Sequence, residues 1–88
     1  MINLKFNWRP AHANEGINNY RFYSNGILIS NTTLLEYIFN NAQYNIDYYF
    51  HVTAVTNIGR VSIKSNTVHV RMVLGEQTTL NYNLNFTI

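Results

Sequence analysis

The sequence predicts an all-β domain of sandwich or barrel type, and three observations carry that prediction. Apolar and polar residues alternate over several short segments, as they do in strands whose successive side chains point to opposite faces of a sheet. Turn-forming residues separate seven such segments. No segment keeps the apolar period of about 3.6 residues that marks an amphipathic helix.

Length and composition agree with a single small domain that has a packed core. The chain has 88 residues, of which 47% are hydrophobic and 15% aromatic. Charged residues make up only 11%, against about 25% in ordinary soluble domains, and 15 asparagines supply much of the remaining polarity. This composition excludes a charge-rich disordered chain and a coiled coil. Because cysteine is absent, neither disulfides nor thiolate metal sites contribute.

The first half of the chain contains a strand, a loop and a predicted hairpin. Residues 2–8 alternate and stop before Pro10, since proline cannot donate to a sheet ladder. A second strand follows over 17–23. Asn25-Gly26 then suits a type I′ turn, which needs positive φ at both central residues. The returning strand is predicted over 27–30.

The chain after the hairpin contains three further predicted strands before its C-terminal segment. A polar turn over 30–33 leads to a strand over 34–39, and an amide-rich turn follows it. Residues 48–55 alternate most strongly, and Gly59 marks the turn after them. Another strand is predicted over 67–73, with Val68, Val70 and Met72 facing inward.

Several motifs resemble those of one known family. Residues 4–10 (LKFNWRP), 17–23 and 48–55 (YYFHVTAV) look like strands B, C and F of a fibronectin type III domain, with Gly59 at the position of its F–G loop glycine. The segment around Ser62 and Ser65 looks like that family's entry into strand G. The resemblance implies an antiparallel, immunoglobulin-like β-sandwich with Trp8 in its core.

Two features depart from the family pattern. Ala42 and Tyr44 stand where the family usually has a leucine and a proline before its corner tyrosine. The resemblance implies that a tyrosine hydroxyl hydrogen-bonds a backbone carbonyl at this corner. That tyrosine is expected to be Tyr48, or failing that Tyr44. The chain also begins at the equivalent of strand B, so the edge that strand A would occupy is vacant.

The C-terminal segment is the additional element, and it divides the chain into a sandwich over 1–74 and a strand or assembly arm over 75–88. Its apolar residues alternate without interruption, so one face is expected to be buried. Three outcomes remain open: a strand beside the last sandwich strand in the same molecule, docking on another copy or partner, or a disordered tail. Filling the vacant edge of its own domain is expected to be harder, because strand A runs antiparallel to B and starts from the opposite pole. The alternating residues are Leu80, Tyr82, Leu84, Phe86 and Ile88.

Polar residues with catalytic or ligating chemistry are scattered. His51 and His69 are expected opposite or diagonal to each other on the outer sheet face, which is too few ligands for a structural zinc site. The carboxylates lie in separate loops or edges, so a facing pair across a cleft is not expected. We therefore expect no enzymatic activity, no cofactor and no metal requirement. The carboxylates are Glu15, Glu36, Asp47 and Glu76.

Exposed tyrosines mark the predicted interaction surface. Tyr23 and Tyr49 are expected to face outward on adjacent strands, and exposed tyrosines beside amides are common in binding surfaces. The alternative is that these large side chains only cover the sheet face. The candidate interaction surface comprises Tyr23, Tyr49, Leu80, Tyr82, Leu84, Phe86 and Ile88.

Charge and hydropathy bear on partners and location. The net charge is +2, and the basic residues are scattered, so no dense phosphate-binding strip and no nucleic-acid partner are expected. No apolar run reaches membrane-spanning length, and the first residues do not resemble a signal peptide. The initial Met suggests a complete, cytoplasmically made chain, although a piece of a longer protein is the alternative.

These observations predict a non-enzymatic structural or interaction protein. Small stand-alone domains resembling fibronectin type III modules are common on phage particles, so we expect a virion component, with capsid decoration ahead of a tail location. Its partners would be capsid or tail proteins, or copies of itself. The alternatives are an extracellular adhesion module that binds a surface glycan, and a spacer domain of a secreted bacterial enzyme.

Overall fold

The computed structural model describes residues 2–62, 64–74 and 81–86. These residues form seven strands and no helix. The strands are β1 (Ile2–Trp8), β2 (Ile17–Ser24), β3 (Ile27–Thr32), β4 (Glu36–Ala42), β5 (Asp47–Thr56), β6 (Val68–Arg71) and β7 (Asn81–Leu84).

Two sheets pack face to face. The three-stranded sheet has the order β4-β1-β7, and the four-stranded sheet has the order β3-β2-β5-β6. All neighbouring strands are antiparallel except β1 and β7, which run parallel. The prediction of an all-β sandwich is confirmed.

The β2–β3 hairpin turns at Asn25-Gly26, as predicted. Asn25 has φ 52° and Gly26 has φ 78°, so both central residues adopt the positive φ that a type I′ turn requires. The returning strand is longer than predicted, because β3 continues to Thr32. The next strand starts later than predicted: Leu34 and Leu35 lie in the bend before β4 and are exposed.

Aromatic rings from both sheets meet at Phe6. This ring is fully buried, and its centroid lies 5.1 Å from that of Phe22 and 4.5 Å from that of Phe50. Tilted ring pairs of this kind stabilise a fold by about 0.5–1.5 kcal/mol each beyond the burial of their area. Trp8, which is 5% exposed, extends the cluster along β1, so its predicted place in the core is confirmed.

Tyr48 makes a hydrogen bond at the turn between β4 and β5, as predicted, but with a different kind of partner. The Tyr48 hydroxyl lies 3.0 Å from the backbone N–H of Gln43, from which it accepts a hydrogen bond. The Tyr48 hydroxyl was expected to donate to a backbone carbonyl, whereas in the structure it accepts from a backbone N–H. The bond spans the turn where Ala42 and Tyr44 depart from the family pattern, and Tyr48 holds the corner there.

Two serines extend the edge of β5 beyond its pairing with β6. The Ser65 hydroxyl accepts from the Val52 N–H at 3.0 Å, while the Ser65 N–H donates to the Val52 carbonyl at 2.8 Å. Ser62 makes the same two bonds with Ala54. Side-chain oxygens thereby replace missing ladder acceptors, which lets a segment outside the named strands cover this part of the sheet.

The position of β7 corrects our expectation for the C-terminal segment. β7 does not lie beside β6; it pairs with β1 in the same molecule and fills the vacant edge. The partners include Phe6 with Tyr82 and Trp8 with Leu84.

The error lay in assuming that a strand at this edge must run antiparallel to β1. β6 ends at the pole where β1 begins, since Arg71 pairs with Asp47 and Met72 bridges to Tyr44 just after the end of β4. A strand that starts from this pole can run parallel to β1. The described part of the proposed arm, Asn81–Leu84, is therefore a strand of the sandwich, whereas residues 75–80, 87 and 88 lie outside the described residues.

Replacing Leu84 with alanine tests this placement. Leu84 is fully buried, so Leu84→Ala should lower the free energy of unfolding by about 2–5 kcal/mol. Chemical denaturation monitored by Trp8 fluorescence measures the loss. Leu74→Ala is the matched control, since Leu74 is 73% exposed, and it should change stability by less than about 0.5 kcal/mol. Equal small effects of both substitutions would contradict the intramolecular packing of β7.

Candidate functional site

The outer face of the four-stranded sheet carries four polar aromatic residues, two tyrosines and two histidines. Strand alternation places Tyr23 on this face of β2, and the register sets it opposite His51 on β5. Tyr49 lies two residues before His51 and pairs with His69 on β6. His51 is thus diagonal to His69, as the sequence predicts.

These residues form two stacked pairs. The rings of Tyr23 and His51 have centroids 4.6 Å apart and planes inclined by 12°. The rings of Tyr49 and His69 are 4.7 Å apart with the same inclination. Each ring already has one face stacked against its neighbour. The pairs are therefore less suited than unstacked aromatic rings to bind a flat ligand by stacking. What they offer to a partner includes their hydroxyl groups and ring nitrogens.

A carboxylate closes one end of this row. Asp47 Oδ1 lies 2.9 Å from Nε2 of His69, and Asp47 Oδ2 lies 3.1 Å from a guanidinium nitrogen of Arg71. The hydrogen bond from His69 is the largest cause of a lowered pKa of Asp47; burial opposes it, and the Arg71 charge lowers the pKa further. All three side chains are well exposed, so the group orders the surface more than it stabilises the fold.

His51 has a different electrostatic environment. Burial lowers the pKa of its ring below the ordinary value of 6.5, and the nearby Lys64 ammonium lowers it further. Both effects disfavour the charged imidazolium. The neutral ring is therefore the form that the fold accommodates best.

The histidines do not converge on a metal position. His69 contacts Asp47, whereas His51 stacks on Tyr23. Across residues 2–62, 64–74 and 81–86, no three His, Cys, Asp or Glu side chains come close enough to hold an ion together. Glu36 lies apart from this group, since it pairs with Lys5 at 3.1 Å on the other sheet.

The predicted C-terminal interaction residues divide into two groups. Leu84 is fully buried, and Tyr82 and Phe86 pack against the same core. Burial also raises the pKa of the Tyr82 hydroxyl above 10.0. In this fold these three side chains face their own domain, not a partner. Leu80 and Ile88 lie outside the described residues.

The two predicted surface tyrosines have the expected orientation. Tyr49 is 47% exposed, and Tyr23 is half-buried beside His51. Both lie on the outer face of adjacent strands. Their role in binding stays a prediction.

One exposed apolar surface was missed by the sequence reasoning. Ile27, Leu28 and Ile29 are 66%, 46% and 42% exposed; we call these three residues the β3 patch. A register shift between Phe22 and Tyr23 leaves Ile29 out of the alternation. The sequence feature that could have indicated this patch is the absence of any charged residue between Arg21 and Glu36.

A second feature of the outer face is an open depression of about 640 Å³. Arg21 is the charged residue in it, and the rest of its lining is mainly amide and hydroxyl groups. The lining residues are Asn19, Arg21, Asn31, Thr32, Thr33 and Leu34.

Comparison with protein-family models, curated proteins and solved structures finds no match for this chain. The resemblance to a fibronectin type III domain therefore stays a prediction from its motifs. The described residues include no helix of the length and hydropathy needed to cross a membrane.

The lowered pKa of His51 predicts a pH-dependent stability. Because the His51 ring takes up a proton near pH 6.5 in the unfolded chain and only at lower pH in the folded chain, its contribution to stability should fall as the pH drops through this window. Thermal unfolding from about pH 7.5 to about pH 5 measures the slope. His51→Gln should flatten it.

His12→Gln provides the control, since His12 is exposed in the loop before β2. This variant should keep the slope of the unsubstituted protein. A slope that survives in His51→Gln would show that burial of His51 is not its cause.

Proposed function

We propose that this protein is a non-enzymatic structural protein that joins an assembly through protein–protein contacts, with β3 as its contact strand. The observation that carries the proposal is the β3 patch on an unpaired sheet edge. β2 covers one side of β3, and no strand in the described ranges pairs with its other side. An exposed apolar edge is a template for another strand.

The other three sheet edges carry features that oppose such pairing. β6 has only four residues, with His69 and Arg71 on its outer face. β7 also has only four residues. β4 carries Glu36 in an ion pair with Lys5. Short strands and charged side chains are the usual protection of edges in natural sheets.

β3 has less protection of this kind. It has six residues, and no charged residue or proline occurs over 22–35. Its one irregularity is the bulge at Ile29, which interrupts regular pairing there. A partner can therefore pair with the backbone of the regular end of β3 and pack apolar side chains on the β3 patch.

The occupant that fits best is a second copy of the chain. Two β3 strands related by a two-fold axis would pair antiparallel and place the same uncharged residues against each other. The small net charge of +2 per chain produces only weak repulsion between copies. Such pairing would extend the four-stranded sheets of two molecules into one continuous sheet.

The proposed setting is a phage virion, with capsid decoration ahead of a tail location. Support comes from the small sandwich fold and from the resemblance to modules of phage particles. Neighbouring genes give a direct test: a capsid or tail cluster favours this setting, while a cluster for glycan processing favours the spacer of a secreted enzyme.

Sedimentation velocity tests the role of β3. The protein should form dimers as its concentration rises from about 10 µM to about 1 mM, a range that suits a contact smaller than a standard stable interface. Leu28→Lys combined with Ile29→Lys should keep it monomeric, since the added charges would face each other across the two-fold axis.

Ile58→Lys is the matched control. Ile58 is 64% exposed, like the residues of the β3 patch, but it lies in the turn after β5. This variant should dimerise like the unsubstituted protein. A monomer at every concentration, or equal dimerisation of all three proteins, would contradict pairing between copies through β3.

A further inference from the structure

The depression on the outer face contains a positive charge that has no counterion among the described residues. Arg21 projects from β2 between its cross-strand neighbours Asn31 on β3 and Thr53 on β5. Among the described residues, the carboxylates of Glu36 and Asp47 pair with other cations. Arg21 has no ion pair within these residues and is free to bind an anion.

A guanidinium group selects the kind of anion. Its planar N–H donors match the two oxygens of a carboxylate and form two parallel hydrogen bonds. Arg21 is the one charged residue in the described lining. A single positive charge suits a singly charged carboxylate better than a phosphate ester of higher charge.

The remaining lining suits a ligand that is rich in hydroxyl groups. Asn31 offers an amide donor and acceptor, Asn19 offers an amide donor, and Thr33 offers a hydroxyl. Thr32 shapes this end by accepting a hydrogen bond from the Leu34 N–H at 3.0 Å. Leu34, which is 63% exposed, adds an apolar contact for ring C–H groups.

We propose that the depression binds an acidic saccharide, with the carboxylate of one sugar residue on Arg21. The ring hydroxyls would hydrogen-bond Asn19, Asn31 and Thr33, and the apolar side of the ring would contact Leu34. This site goes beyond the assembly role proposed above. It does not depend on that role, because the residues of the β3 patch are absent from its lining.

An NMR titration of the full chain with sodium glucuronate tests the site. Saturable amide shifts should appear at residues 19, 21 and 31–34. Glucose lacks the carboxylate and acetate lacks the sugar, so each should bind at least about tenfold more weakly, the loss expected when a charge-assisted contact or a set of neutral contacts is removed.

Substitution of Arg21 provides the second arm. Arg21→Gln should weaken glucuronate binding at least about tenfold, while Arg21→Lys should bind with intermediate affinity because it keeps the charge and loses the planar fork. Arg71→Gln is the matched control. It removes one charge from the same face, where Arg71 already pairs with Asp47, and should bind like the unsubstituted protein.

Three results would overturn the proposal. One is the absence of saturable shifts at these amides. Another is acetate binding as tightly as glucuronate, which would indicate a bare carboxylate site. The third is unchanged binding in Arg21→Gln while the protein remains folded.

Discussion

The packing around Phe6 is the interaction on which the rest of this structure depends. Its ring contacts Phe22 and Phe50 from the opposite sheet and stacks on Tyr82 from β7 at 5.4 Å. Four strands from both sheets therefore meet at one side chain. In a domain of 88 residues, which buries a smaller share of its surface than larger domains do, such a shared contact contributes to several elements at once.

The same packing explains why β7 completes the domain. Without β7, β1 would be an edge strand with one side of its backbone unpaired, and Phe6 would lose Tyr82. Parallel pairing solves both problems because the chain leaves β6 at the pole where β1 begins. The Asn66 N–H donates to the Asn85 carbonyl at 3.0 Å, and this bond links the far end of β7 to the segment that enters β6.

Once β1 is covered, β3 is the least protected of the four edge strands among the described residues. The side chains next to it on the outer face pair with one another: the tyrosines stack on histidines, and Asp47 pairs with His69 and Arg71. The β3 patch differs from this pattern because it lacks charge. The depression around Arg21 differs because its charge has no ion pair within the described residues. These two surfaces are therefore the ones that we propose bind a partner or a ligand.

Local patterns in the sequence were sufficient to predict much of the fold. Trp8, the Asn25-Gly26 turn and the Tyr48 corner each depend on a few neighbouring residues, whose chemistry leaves little choice of conformation. The place of β7 depends instead on the pole at which a distant strand ends. Likewise, an apolar run such as 27–29 has the same sequence pattern in a buried strand as on an exposed edge. The β3 patch could therefore not be recognised from periodicity alone.

The central claim is that β7 packs on β1 of its own chain. An isotope-filtered NOE experiment on an equal mixture of labelled and unlabelled protein tests it most directly, through the stacked rings of Phe6 and Tyr82. The account predicts strong NOEs between these rings within one chain and none between labelled and unlabelled chains. Cross-chain NOEs between Phe6 and Tyr82 would show that β7 is exchanged between molecules and would contradict it.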